Sequence, residues 1–258
     1  MIESMRLRCP ECNHIITAFP DLGEEALHTN LTVVRRQSFR GSWAEIAAEI
    51  KSGYGYRVLS LFDEVTFTLK NGKEATVRVI AENPYHQNEM IFQFTSCLGE
   101  MPMNRRDTNA GGWAECGANY KLNTEYWDLL PDDLKAVISK RTIFQKIGDK
   151  GYKSECNLWY ASLTEVLGND PRYSAYTQCD VGDVQFPGLA KKIDRIRDLD
   201  GETKWHFLRS PNTGYTTGFW SVNAYGGVSS GNYGASGSYG VCPCFSIRRD
   251  EDDSESQQ

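Results

Sequence analysis

Val65-Thr66-Phe67-Thr68-Leu69-Lys70-Asn71-Gly72-Lys73-Glu74-Ala75-Thr76-Val77-Arg78-Val79 alternates apolar with polar residues on both sides of an Asn-Gly pair. A period of two puts Val65, Phe67 and Leu69 on one face of a strand, and Ala75, Val77 and Val79 on one face of the next. Asn71-Gly72 tolerates two positive φ values, so the stretch reads as a β-hairpin. Downstream, Ile91-Phe92-Gln93-Phe94 reads as a further strand. Upstream, Ser42-Trp43-Ala44-Glu45 is a capping box. Trp43, Ile46, Ala47 and Ile50 then recur at helical spacing as far as a stop at Gly53, which predicts a short amphipathic helix. Pro131-Asp132-Asp133 predicts a second one, running through Leu134, Val137 and Ile138. Ser162-Leu163-Thr164-Glu165 repeats the capping box and runs to Gly168. Leu189 to Leu199 sets Ile193 and Ile196 among Lys and Arg, and both stretches read as short surface helices. The expected class is α+β, with short helices around small antiparallel β-sheets and a loop-rich C-terminal third.

The totals narrow the function classes. With 258 residues, 40% hydrophobic and 24% charged, the chain has the composition of a folded protein with one sizeable core. A net charge of -6 without a basic run offers no footprint for a phosphate backbone, so nucleic acid is not expected as a partner. No apolar run is long enough to span a bilayer, and Met1-Ile2-Glu3-Ser4-Met5-Arg6 does not lead into the apolar segment of a signal peptide. The expectation is a chain without signal peptide or membrane insertion. Residues 1–37 read as an arm carrying Cys9-x-x-Cys12, residues 38–249 as the domain, and 250–258 as a disordered acidic tail.

Eight cysteines in a chain of this length form no evident disulfide framework and are expected to be mostly reduced. Cys9-x-x-Cys12 has half of a zinc-ribbon spacing, to which His14 or His28 could contribute, and the second clean pair is missing. No metal or other cofactor is therefore expected, and two ordinary thiols are the plainer reading. Cys242-x-Cys244 would share one face of a strand, where a disulfide between them would be strained. Packed thiols fit better.

Between Asn212 and Gly240 there is no charged residue, and Gly, Ser, Tyr, Asn and Thr fill most positions. Such a stretch is not expected to fill a core. Tyrosine supplies amphipathic contact area at low entropy cost while Ser, Gly and Asn supply adaptable hydrogen bonds, the chemistry of antibody paratopes. The candidate ligand-binding residues are Tyr215, Phe219, Trp220, Asn223, Tyr225, Asn232, Tyr233 and Tyr239. The other reading is a set of structural loops whose aromatic residues cover a small β-core. Arg209 is read as structural, its planar five-donor guanidinium pinning loops through carboxylates or carbonyls. No catalytic residue is assigned. His14, His28, His86 and His206 lie in unrelated contexts, and no nucleophile elbow, phosphate loop or calcium loop stands out.

Phe207-Leu208-Arg209-Ser210-Pro211, then Val222 with Gly226-Gly227-Val228, then Gly240-Val241-Cys242-Pro243-Cys244-Phe245-Ser246-Ile247 resembles the domain-of-unknown-function family 6273 of gut bacteria and their phages. Trp43-Ala44-Glu45-Ile46, the Asn71-Gly72 hairpin, Gly111-Gly112-Trp113, Leu122-Asn123, Leu130-Pro131 and Leu163-Thr164-Glu165-Val166 follow the family's order, over residues 38 to 249. This chain departs from the common ending, where arginine and alanine stand in place of Cys242 and Cys244. The resemblance implies a C-type-lectin-like fold shared with formylglycine-generating enzymes and the variable proteins of diversity-generating retroelements. By that resemblance the chain is a non-catalytic recognition protein, located in a virion or in the cytoplasm of the producing bacterium, and binding a bacterial surface protein or glycan through residues 212–240. It also leaves open an oxidase with Cys242 and Cys244 as copper thiols, or a virion or envelope module that assembles with other copies.

Overall fold

The computed structural model describes residues 5–8, 15–18, 41–230 and 234–249. The chain divides into two compact units, Met1–Gln37 and Ser38–Gln258. In the first, β1 (Met5–Arg8) and β2 (Ile15–Ala18) pair antiparallel. Strands of four residues are too short to show a sustained period, so the sequence reading of this unit as an arm passed over them. Cys9, Cys12, His14, His28 and the tail 250–258 lie outside the described residues. No helix among the described residues is long and apolar enough to cross a membrane.

The second unit is α+β. Helix α1 (Trp43–Lys51) carries the Ser42/Glu45 capping box and buries Trp43, Ile46, Ala47 and Ile50. Strands β3 (Glu64–Thr68), β4 (Glu74–Glu82) and β5 (Glu89–Phe94) follow, and the hairpin stands where the alternation predicts it. Its turn differs from the two-residue form. Gly72 alone is left-handed (φ 82), and Gly72 N–H donates to Leu69 O at 2.9 Å while Leu69 N–H donates to Lys73 O at 2.8 Å. That is a three-residue loop closed by a glycine bulge. In such a loop only the last position is left-handed, so Asn71 keeps a negative φ, and its Oδ1 accepts the Lys73 N–H at 3.1 Å.

Beyond β6 (Glu100–Met101) lie α2 (Gly112–Glu115) and a helical run of α3 (Gly117–Lys121), a π turn (Leu122–Tyr126) and α4 (Trp127–Leu129). Helix α5 (Asp132–Lys135) is a single turn that buries Leu134, with Val137 and Ile138 half-buried after it. Strands β7 (Arg141–Ile147), β8 (Lys150–Cys156) and β9 (Asp180–Val181) form a three-stranded antiparallel sheet with β7 in the middle. Helices α6 (Leu163–Leu167) and α7 (Ser174–Thr177) stand between β8 and β9 in the chain.

Two sequence expectations fail in this part of the chain. Helix α6 is interior, with Leu163, Thr164, Glu165 and Val166 all buried, because Glu165 turns inward to arginine partners. Residues 189–199 form no surface helix. They make 3-10 turns at Pro187–Leu189 and Lys192–Arg195, then β10 (Arg197–Leu199), which pairs with β11 (Glu202–Lys204). The helical spacing of Ile193 and Ile196 misleads because, beyond Leu189, the buried residues are Arg195 and Arg197. Arg195 donates to the carbonyls of Val166, Leu189 and Ala190.

The C-terminal third supplies β12 (His206–Pro211), β13 (Phe219–Val222), β14 (Val228–Ser229), β15 (Tyr239–Gly240) and β16 (Cys244–Arg248). A five-stranded sheet has the order β14-β13-β12-β15-β6. Its β12/β15 pair is parallel, unlike the antiparallel sheets the sequence suggested. A four-stranded antiparallel sheet has the order β16-β5-β4-β3. Phe92 and Phe245 stack at 5.1 Å across β5/β16, and Trp43 meets both edge-on at 6.0 Å. Each such ring contributes roughly 1.5–3 kcal/mol by leaving water. This aromatic layer locks α1 onto the last strand.

Candidate functional site

Arg209, on β12, has no exposed surface. Its Nη1 donates to Glu165 Oε2 at 2.5 Å and to the Tyr160 carbonyl at 2.8 Å; its Nη2 donates to Glu165 Oε1 at 3.0 Å and to Asp183. Arg141 meets the same carboxylates, Glu165 at 2.7 Å and Asp183 at 3.0 Å, and lies over the rings of Tyr85 and Trp159. Tyr85 donates to Glu165 Oε1 at 2.6 Å, and Ser210 donates to Asp180 Oδ2 at 2.6 Å. Burial pushes the Glu165 carboxyl up, but Arg141, Arg209 and the hydrogen bonds to it outweigh burial and hold it at about 2. Asp183 goes the other way, raised to about 7, because burial and the neighbouring carboxylates outweigh its arginines. The cluster pins α6, β7, β9 and β12 together, so Arg209 acts as internal cement.

Above β12 the charge-free segment divides into two kinds of position. Phe219 and Trp220 are buried in the core, Trp220 against the rings of Tyr173 at 5.7 Å and Tyr176 at 5.1 Å. They cannot present a face to a ligand, and Ala235 is fully buried as well. The expectation that this stretch fills no core is therefore corrected: β13 sits between β12 and β14 and is buried along its length. Tyr239 is half-buried on Phe207 at 4.5 Å and near Trp205 at 5.8 Å. Asn232 and Tyr233 lie outside the described residues.

Tyr215 and Tyr225 are displayed. Tyr225 is 83% exposed at the tip of the turn after β13, and that turn is fastened from inside by Asn223. The Asn223 Oδ1 accepts the N–H groups of Tyr225 (2.9 Å) and Gly227 (3.0 Å), while its backbone exchanges bonds with Gly226 and Gly227. Gly226 is left-handed (φ 75), and a Cβ there would lie 1.8 Å from the Lys192 carbonyl, so the turn rests directly on the 192–195 stretch. Ile193, 70% exposed, is in that stretch. Tyr215 is 69% exposed on a loop clamped by Asn109, whose Nδ2 reaches the carbonyls of Asn212, Tyr215 and Gly218 at 2.7–3.0 Å. Sequence reasoning missed Asn109 and Ile193. Asn109 stands more than 100 residues from its partners, and Ile193 was counted as part of a helix.

Cys242 does not pair with Cys244. Its sulfur neighbour is Cys97, while Cys244 opens β16. Among the described residues no group of three or more His, Cys, Asp or Glu side chains is placed to hold a metal ion.

No curated protein and no solved structure matches the chain. Residues 86–249, from just before β5 to the end of β16, match the family described as Domain of unknown function (DUF6273). That span holds the arginines and carboxylates of the Arg209 cluster, with Tyr85 one residue ahead of it, the displayed tyrosines and both cysteine neighbours, and it is more than half of the 258 residues. The chain belongs to the DUF6273 family.

Proposed function

We infer that this protein is a non-catalytic recognition module that binds a bacterial surface protein or glycan through the loops of residues 212–240. The observation that carries the reading is Tyr225, a large amphipathic ring almost wholly in water on a turn that Asn223 holds rigid. A rigid aromatic anchor pays little entropy on binding, and such anchors dominate interface energetics. Tyr215 on its Asn109-clamped loop is the second anchor, and Tyr239 lies at the margin. Phe219 and Trp220 belong to the scaffold beneath. Display on a phage particle, a C-type-lectin-like architecture and diversification of the segment by a retroelement extend the same proposal. It is tested by Tyr215→Ala and Tyr225→Ala, measured for binding to host cells and their extracted surface glycans and proteins. Each should weaken binding more than tenfold, consistent with about 2 kcal/mol or more per hot-spot residue. Unchanged binding in the double variant refutes the surface.

A further inference from the structure

The four-stranded and five-stranded sheets exchange the chain at one place, twice. Cys97 lies between β5 of one sheet and β6 of the other, and Cys242 lies between β15 and β16 on the return. Their Sγ atoms are 2.7 Å apart, inside ordinary contact distance for two unbonded sulfurs, and both thiols are free and buried. The backbones leave this geometry undisturbed. The Cys97 N–H donates to Asp198 O, the neighbouring Leu98 N–H donates to Val241 O at 2.9 Å, and the Cys242 carbonyl accepts from Gln93 Nε2 at 3.3 Å. The two segments are held side by side next to the sulfurs, because Val241 N–H in turn donates to Gly99 O at 2.9 Å. Gly240 makes the room, since a Cβ there would lie 2.4 Å from Cys97 Sγ.

Arg197 supplies a second observation. This buried guanidinium donates to the carbonyls of Asp194 and Ile196 and to Gln93 Oε1, its Nε has no partner, and no carboxylate is among its partners. Burial weakens its hold on the proton most, and Cys242, Cys244 and Cys97 act in the opposite sense, so the thiols are within electrostatic reach of the guanidinium. A cation with no carboxylate beside a thiol favours the thiolate, the species that attacks a disulfide sulfur. Burial holds the Cys242 thiol well above its ordinary value, so the resting pair is the dithiol.

We propose that Cys97 and Cys242 are a reversible dithiol/disulfide pair, oxidised by thiol–disulfide exchange with a small-molecule disulfide, that clamps the crossing between the two sheets. In the first step one cysteine thiolate attacks the small disulfide, forming a mixed disulfide and releasing one small thiol. In the second the other cysteine attacks the protein sulfur of that bond, closing Cys97–Cys242 and releasing the second small thiol. Two protein thiols and one disulfide thus become one protein disulfide and two thiols. The bond joins residues 145 apart in the chain, a long loop whose closure restricts the unfolded chain strongly.

The test is to unfold the full chain, refold it in reduced and oxidised glutathione at a series of ratios, trap free thiols with an alkylating agent, and map peptides by mass without reduction. A Cys97–Cys242 linked peptide is expected, reversed by dithiothreitol, with a Tm gain of roughly 5 °C or more in the oxidised form. Cys97→Ser and Cys242→Ser should abolish the linked species and the Tm gain, and Cys244→Ser should keep both. Absence of the link at the most oxidising ratio, a link through Cys244 in its place, or a Tm gain that persists in Cys97→Ser overturns the proposal. Should a serine variant fail to fold, the peptide map of the parent protein still decides.

Discussion

The Arg209 cluster and the Tyr225 turn invert the usual placement of side chains. Two arginines and three carboxylates lie in the interior, while the Tyr225 phenol stands in water on a turn of half-buried and buried amide and glycine residues. Buried charge survives because each charged head meets an opposite charge or a hydrogen-bond partner. The exposed ring persists because its turn is satisfied by Asn223 and asks nothing of the ring for stability. The two regions thus divide the labour: charge holds the scaffold and uncharged surface is left for contact. The largest effect should come from the first. Arg209→Ala leaves Glu165 and Asp183 buried with Arg141 as their one remaining cation in the cluster and should cost about 3–5 kcal/mol in denaturant unfolding. A loss under 1 kcal/mol would mean the cluster is a bystander.

Acid should separate the groups further. Burial and then Arg197 hold His206 down at about 3, whereas the unfolded imidazole titrates near about 6.5. The unfolded chain therefore takes up that proton first, and the His206 contribution is complete above about 6.5 and lost as pH falls toward 3. Asp183, raised to about 7, acts in the opposite sense: the folded state takes up its proton first, so it adds stability as pH falls from 7 toward its unfolded value. The two offset each other between pH 4 and 6.5. In His206→Gln only Asp183 remains, so the stability difference between parent and variant should change by up to about 1.4 kcal/mol per pH unit in that window, in the variant's favour on acidification. Parallel curves would contradict the buried, neutral His206. Below pH 4.5 Glu165, held at about 2, begins to lose its contribution in every variant that retains it.

Asn109→Ala sits between the regions in size. It removes one donor from each of three carbonyls, of which Asn212 O and Gly218 O keep a backbone N–H, and should cost about 1–3 kcal/mol while loosening the Tyr215 loop, seen as faster amide exchange at residues 212–218. The smallest effect is expected of Tyr225→Ala, within about 0.5 kcal/mol of the parent. A larger loss would place that ring in the structural half of the comparison.

Local signals read well because their causes are local. The Ser42 and Ser162 caps, α1 and the hairpin each depend on residues within a few positions of one another, and all four stand where the spacing predicts, the hairpin with a three-residue loop in place of the two-residue turn. The misreadings share a cause of the opposite kind. Glu165 could not be known as interior, because its arginines, Arg141 and Arg209, lie far from it in the chain, the latter 44 residues away. Phe219 and Trp220 share a charge-free background with Tyr225, and only strand pairing with β12 and β14 separates core from tip. Cys242 was weighed against Cys244, two residues off, while its neighbour lay at Cys97.

Strand β16 pairs with β5 along its length and bridges Ser139 and Trp159 on its other side. Its place beside Phe94 is therefore open until the chain has grown from 94 to 244, which is 150 residues further. At roughly 5–20 residues per second of synthesis, that leaves Phe92 and Phe94 beside an unfilled edge for about 8–30 seconds. During that interval the nascent protein offers an unpaired strand edge bearing Met90, Ile91, Phe92 and Phe94 to any other unfinished copy on the same message. Charged Glu64 and Arg78 toward the opposite end of the sheet, already paired at 2.7 Å, leave that one side as the place where such copies would join. Slow translation beyond residue 94 should thus favour aggregation, and a helper protein that covers β5 should suppress it.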